Sequence, residues 1–389
     1  MSGAQYINIV SFIKSVKRLY TVFSIDLDSI IASSLLMRIA LEEGVEIYSA
    51  PFYDASKPYE PGSVVLLVKV LQRTPVSGVR TVQLEELVGK DPKIISSVTM
   101  HLVKELKKQI IISRYIDILS IISMLSLSRS SIYDRNLVEI HKNLLDEAID
   151  KTLFSFIETL RFFGYPKRDI VESITKTVDP YIVGASLDYE GARKILETVG
   201  GSISIDEARS KLIEIISSKL SSYCRSCEPL VGSKIVLKET SYLIDDVYEA
   251  TYALYSYIDV QGVEPSLYLC LDSRVIGIAG GVFDYVSKYI KDVVDGVIEG
   301  AGIKRMIIKG VKIGIVDIST ASRIPPLYTV HKILRAIGFT EDITLFTDGK
   351  EWLLPLPFIA PRWPYDKELL IEKGYAVFKS VQDVGEVFK

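Results

Sequence analysis

Cysteine, histidine and tryptophan are scarce in this 389-residue chain, at three, three and two copies. Three cysteines exclude a disulfide-stapled secreted scaffold and fit a reducing cytoplasm. His101 and His141 stand singly in helical stretches and read as surface or packed residues. No apolar run reaches the ~18 residues of a membrane-spanning helix. The first twenty residues, MSGAQYINIVSFIKSVKRLY, carry their bases after the apolar residues, the wrong order for a signal peptide. A cytoplasmic location is therefore expected. An excess of basic residues is missing as well. Residues 1–230 hold 28 basic and 28 acidic side chains, residues 231–389 hold 18 and 21, and the net charge is −3. That balance argues against a protein whose main task is to grip phosphate backbones. Walker A, GxSxG and HExxH motifs are absent, which removes P-loop, α/β-hydrolase and zincin chemistry.

Hydrophobic residues are plentiful, at 48%. They suffice for sizeable cores and exclude disorder. One stretch organises the rest: Leu19–Pro51, LYTVFSIDLDSIIASSLLMRIALEEGVEIYSAP. It reads as strand, acidic turn, helix, strand, a βαβ unit with a helix apolar nearly all round. Asp26 and Asp28 fall at the carboxyl end of the first strand, where open α/β sheets place their ligands. Two carboxylates on one tight turn can bind Mg²⁺ or Mn²⁺ but are too few for a six-ligand site. The structural alternative is a helix cap by Asp28 or Ser29, with Asp26 favouring the helix N-terminus electrostatically.

Along the chain, residues 1–18 read as a helix and SVVLLVKV (Ser63–Val70) as a buried strand interrupted only by Lys69. Gly78–Leu84 reads as a short strand. Pro92–Leu127 reads as helical, with Lys104, Lys107 and Lys108 on a solvated face. Leu137–Phe163 reads as a second helix, stopped at Gly164-Tyr165-Pro166. Asp188–Val199 starts another helix ended by Gly200-Gly201, and residues 203–222 are amphipathic. CRSCEPLVGSK follows as a linker. Glu239–Ser273 holds seven acidic residues, no Lys or Arg, and six tyrosines. It reads as a solvated helix over packed Tyr stems, or as a docking face for a protein partner. Gly280-Gly281 opens a helix to Glu299. Ile303–Ile318 is β-type with Lys304, Arg305, Lys309 and Lys312, which solvate a strand edge or touch phosphate. A helix at Tyr328–Ile337, a hairpin across Asp348-Gly349 and a final helix-strand run complete the chain. Cys224-x-x-Cys227 with Cys270 and a His is a weak zinc candidate, because structural sites want four paired ligands.

SIDLDSI followed by a buried helix resembles the first motif of the DHH phosphoesterase superfamily, His-x-Asp-Ala-Asp-Gly in its RecJ-like archaeal branch. DPYIVGASLDYEGARKILETVGG resembles the segment near the end of that phosphoesterase domain, DPYxxGxSxDxEGAxxFLxxxG. Asp179, Pro180, Tyr181, Gly184, Ser186, Asp188, Glu190, Gly191, Ala192, Leu196 and Gly200 match it in order. The resemblance covers roughly residues 15–200. It implies an α/β fold in which a mainly parallel sheet flanked by helices fills residues 1–200. A helical connector at 201–232 and a smaller α/β DHH-associated domain at 233–389 would follow.

Active members of that superfamily hold two Mn²⁺ through carboxylates and histidines from four motifs. Here Asp26 and Asp28 remain, but Ser24 stands in the His position and Ser29 in the Gly position. Lys69 stands near the second-motif Asp. GVRTVQLEELVGK lacks the Asp-His-His motif, and SMLSLSRSSIYD places Ser128 and Arg129 where an acid is needed, unless Asp134 substitutes. Gly280-Gly281 lacks the His of a Gly-Gly-Gly-His substrate loop. The resemblance, so decayed, is to the Cdc-forty-five-like branch. It implies no catalytic residue, no cofactor and no metal, with GINS and, through it, MCM as partners. Weak contact with single-stranded DNA and a nucleoid-associated location go with it. The alternative is a Mn²⁺-dependent 5′→3′ single-strand exonuclease or oligoribonuclease using Asp26 and Asp28. A partner-independent single-strand binder is the third reading.

Overall fold

The structure is a computed structural model that describes residues 8–55, 59–60, 62–91, 94–200, 205–238 and 244–388. Helix α1 (Ile9–Lys14) is capped by Asn8, and Arg18 already begins strand β1 (Arg18–Phe23). The helix expected over 1–18 is thus shorter, and residues 1–7 lie outside the described residues. Helix α2 (Leu27–Glu42) and strand β2 (Glu46–Pro51) complete the expected βαβ unit. Strand β3 (Val64–Val68) is buried throughout, and Lys69 ends it rather than interrupting it. Strands β4 (Leu71–Gln72) and β5 (Arg80–Gln83) follow. The result is a parallel sheet ordered β2-β1-β3-β5. Continuous apolar runs suit such strands, because helices cover them.

Helices α3 (Leu84–Leu87), α4 (Val98–Lys107), α5 (Arg114–Ser126) and α6 (Arg135–Ala148) come next. The single helical run expected to Leu127 is therefore two helices. Lys107 is not merely solvated, since its Nζ donates to the buried Asp117 at 2.8 Å. The helix expected over Leu137–Phe163 is corrected further. It ends at Ala148, and Phe154–Leu160 is strand β6. Its antiparallel partner, β7, lies at Val231–Leu237, far along the chain. Local pattern could not show that pairing, which overrides the helical character of the preceding segment.

Helices α7 (Ile170–Lys176), α8 (Tyr189–Val199) and α9 (Ile205–Ser221) lie between those two strands. They enclose a small core with Phe162, Ile182, Ile195 and Ile216. The stretch read as a linker closes on a Cys224–Cys227 disulfide, and Leu230 and β7 are packed. The expectation of reduced cysteines is corrected there. Cys270 is remote from the pair, buried against Ile31 O, so the zinc reading is corrected too.

Helix α10 (Val247–Gln261) bears out the packed Tyr stems expected for the acidic Tyr-rich stretch but corrects the solvated helix expected above them. Tyr248, Tyr252, Tyr255 and Tyr257 are buried along with most of the helix, whereas Tyr268 beyond it is exposed. Glu239 and Tyr242 lie outside the described residues. Helix α11 runs Arg274–Gly296, with Gly280-Gly281 inside it rather than at its start. Strands β8 (Lys304–Ile308) and β9 (Val311–Asp317), helix α12 (Leu327–Ala336), and strands β10 (Ile343–Thr347) and β11 (Trp352–Pro355) follow as expected. The end of the chain is strand before helix, the reverse of expectation: β12 (Arg362–Trp363), β13 (Leu370–Glu372), β14 (Tyr375–Phe378) and α13 (Val381–Glu386). The second sheet is ordered β13-β14-β11-β10-β9-β8. Strand β12 pairs with β4, tying the C-terminal part of the chain to the segment after β3.

The segment Asp179–Gly200 owes its sequence to packing. Gly184 has φ +72°, and Gly191 packs so closely on it that a Cβ would lie 1.9 Å from Gly184 O. Asp188 caps α8 on Gly191 N, Ser186 Oγ accepts from Ile182 N, and Tyr181 donates to Asp295 on α11 at 2.9 Å. Gly191→Ala should therefore cost about 1–3 kcal/mol through overpacking. A lowered urea midpoint at unchanged slope is the expected result.

Candidate functional site

Asp26 and Asp28 sit where the sequence places them, at the β1–α2 turn. Asp26 is the N-cap of α2: Oδ1 accepts from Ser29 N at 3.1 Å and Oδ2 from Ser29 Oγ at 2.7 Å. The expected cap by Asp28 or Ser29 is thus corrected to Asp26. From the end of the adjacent strand β3, Lys69 brings its ammonium to 2.6 Å from Asp26 Oδ1 and 3.4 Å from Asp28 Oδ2. Lys69 adopts φ +54°, a left-handed conformation uncommon outside glycine. Its N–H donates to Glu85 Oε1 at 3.0 Å. Sequence pattern alone does not mark Glu85. Its one signal is its place, in the window where the Asp-His-His motif would fall.

Asp28 is fully buried, whereas Asp26 and Lys69 keep about a quarter of their side chains exposed, 27% and 26%. Asp28 Oδ1 accepts from Ser97 Oγ (2.8 Å), Ser123 Oγ (3.0 Å) and Thr99 N (3.0 Å). Asp28 Oδ2 accepts from Val98 N at 3.0 Å and faces Lys69. The carboxylate is thus seated on the first turn of α4, where unpaired N–H groups and the helix dipole favour an anion. His141 supports it from behind: Nε2 accepts from Ser97 N at 2.9 Å, and Nδ1 donates to Leu137 O at 2.8 Å. Burial lowers the affinity of His141 for a proton, which matches a neutral ring with both nitrogens engaged.

Burial pushes the Asp26 carboxyl up, but the Lys69 charge and its hydrogen bond outweigh that and hold it below the usual value. Burial pushes the Lys69 ammonium down, and the two aspartates overcome it and raise it. The two shifts describe one pair stabilised in its charged form.

The superfamily's two Mn²⁺ ions do not fit these residues. An ammonium stands where a cation would have to approach Asp26, and Asp28 already accepts four hydrogen bonds besides facing Lys69. Ser24 is buried and offers its N–H to Val68 O. Asp134 caps α6 through Asn136 N. Ser128 and Arg129 lie beyond α5, at the mouth of a separate cavity. Among the described residues, no group of three or more His, Cys, Asp or Glu side chains is placed to hold a metal ion.

Two outcomes follow from this geometry. Asp28→Ala should lower stability by roughly 3–5 kcal/mol, because it leaves buried donors and Lys69 without their acceptor. An acid kept only for chemistry would instead be neutral or stabilising to remove. Denaturant unfolding distinguishes the two. The pair should also shape the pH profile. Asp26, lowered when folded, contributes stability fully present above its ordinary 3.8 and lost as pH falls through the folded value. Lys69, raised when folded, contributes stability fully present below 10.5 and lost as pH rises through the folded value. Lys69→Met should flatten both limbs in unfolding midpoints measured against pH.

No protein-family model matches the chain, and no curated protein matches it. Solved structures do. CDC45 from Entamoeba histolytica superposes with a TM-score of 0.59 at 10% identity, over 98% of this chain and 97% of that one. Structures of RecJ from Thermus thermophilus with Mg²⁺ and with Mn²⁺ give TM-scores of 0.39 and 0.40, at 11% and 10% identity. They match over 98% of this chain and 50% and 52% of theirs. With near-complete overlap of both chains in the first comparison, the protein has a CDC45-like fold.

Proposed function

We propose that this chain is a non-catalytic replication scaffold of the CDC45 type, binding GINS and through it the MCM helicase, in the cytoplasm and nucleoid-associated. The observation that carries the reading is the Lys69 ammonium between Asp26 and Asp28. Two-metal hydrolysis needs two cations about 3.5–4 Å apart to clamp the attacking and leaving oxygens. An ammonium beside both carboxylates supplies one fixed charge and no open coordination position. A carboxylate spent on the first turn of α4 cannot swing to a metal without uncovering four donors. The near-neutral charge balance agrees with a body that meets other proteins rather than long stretches of nucleic acid. Among the described residues, no helix is long and apolar enough to cross a membrane.

The test is a Mn²⁺-dependent nuclease assay on end-labelled single strands, run beside a GINS pull-down. The expected result is no turnover above the protein-free control, no change with Asp26→Ala, and co-purification with GINS. Mn²⁺-dependent cleavage that Asp26→Ala abolishes would replace this reading with the exonuclease. Absence of GINS from the pull-down would remove the assigned partner.

A further inference from the structure

The Cys224–Cys227 disulfide lies where two hydrophobic cores meet. Both cysteines pack on the large core of the chain and on the small one that α7, α8 and α9 enclose. The cysteines are half-buried, and Arg225 and Ser226 between them are exposed. The ring is short, with a sequence separation of 3. A ring that small removes little freedom from the unfolded chain, so overall stability is not its main effect. What it fixes is the local shape of one turn.

That turn holds on both sides. Toward the small core, Tyr223 N and Cys224 N both donate to Leu220 O near the end of α9, at 3.1 and 2.7 Å. Tyr223 OH donates to Tyr181 O at 2.6 Å and accepts from Val183 N at 3.1 Å. Toward α12, Arg225 N donates to Ile337 O at 3.0 Å. The Arg225 guanidinium lies 5.0 Å from the centre of the Phe339 ring. Gly338, at φ +75°, lies directly against the turn: a Cβ there would stand 2.6 Å from Ser226 Oγ and 3.0 Å from Arg225 Cβ. The closed turn is thus a clasp between α9 and the end of α12.

Its surroundings suit thiol chemistry. Accessible, electropositive places favour the thiolate, and here an arginine stands between two half-buried cysteines. The neighbouring acid, Glu228, is engaged by Arg161 at 3.3 Å. Cys270 has neither property: it is buried, donates to Ile31 O, and burial pushes its thiol up to about 12. In the cytoplasm proposed above, such a pair meets reducing thiols, and disulfides there are usually transient or redox-sensing.

We propose that Cys224–Cys227 is a thiol–disulfide exchange site, and that its reduction by a dithiol releases the clasp between α9 and α12. A thiolate of the dithiol bonds to one cysteine sulfur and expels the other as a thiolate. The dithiol's second sulfur then attacks the mixed disulfide, frees the first cysteine and closes the reductant's own disulfide. Two electrons pass to the pair, and the dithiol's two protons end on the cysteines. With the ring open, Arg225 and Ser226 lose the constraint that seats them on Gly338. The inference goes beyond the scaffold reading and takes from it only the reducing location. It does not depend on GINS, so its failure leaves that partner untouched.

The test treats the folded full chain with dithiothreitol and then with oxidised glutathione. Alkylation followed by mass measurement counts thiols, and hydrogen exchange reports the turn. Two thiols should appear while Cys270 stays unmodified. The Arg225 amide should exchange at least about tenfold faster, as for a local opening. Both changes should reverse on oxidation. The double variant Cys224→Ser/Cys227→Ser should exchange like the reduced protein and ignore dithiothreitol; should it fail to fold, the reduced wild-type chain carries the same measurement. A pair that never closes on oxidation, that resists dithiothreitol until urea unfolds the chain, or that opens with no faster exchange at Arg225 would overturn the proposal. Faster exchange throughout the chain would overturn it too, because it marks a structural staple instead.

Discussion

The contact on which the site depends is the one between Lys69 and the aspartate pair. Through it the ends of β1 and β3 are held together at the top of the parallel sheet. Through Asp28 the hold passes to the N-terminus of α4, to Ser123 on α5 and, by way of Ser97, to His141 on α6. One carboxylate therefore fixes four helices relative to the sheet. Removing a carboxylate from water is expensive, and only a full set of donors offsets it. Asp28 has that set.

The same device recurs elsewhere in the core. Asp246 pairs with the wholly buried Lys234 at 2.6 Å while capping α10 on Tyr248 N and Glu249 N and accepting from Gly164 N. Asp259, pushed up to about 7 by burial, reaches from α10 to the first turn of α12 and accepts from Thr329 N and Oγ1. Asp179, pushed up to about 6 by burial, accepts from Ser131 and Ile132. Acids are thus interior joints in this protein, each placed against backbone N–H groups that would otherwise be buried without a partner.

That arrangement explains what could be read in the sequence and what could not. The βαβ unit was legible because continuous apolar strands and an all-round apolar helix are local patterns. The Asp179–Gly200 segment was legible because Gly191 answers to a close backbone contact with Gly184 O and Gly184 to a positive φ. The character of α10 was hidden. Its acids look like a solvated face until Lys234 and Thr329, distant in sequence, are brought to them. Strand β6 was hidden for the same reason, since its partner lies over seventy residues away. At the site, the retained Asp-x-Asp and the intruding Lys69 were both visible, but the donors around Asp28 were not. Ser97, Thr99 and Ser123 are common residues, and only the fold assembles them.

Lys69 at the end of β3 sets a positive charge beside Asp26 and Asp28, and the consequence is mechanical as well as electrostatic. Two acids on one turn repel; with the lysine of the neighbouring strand beside them they hold themselves. The two parts of the chain are then locked around that point. Ser34 on α2 donates to Leu267 O and accepts from Cys270 N, Tyr255 donates to Ser126 O, and β4 pairs with β12. Hydrolases commonly open and close around substrate, at some cost in stability. These cross-links oppose such motion. A cleft whose acids are neutralised from within and whose walls are tied together is held in one fixed shape.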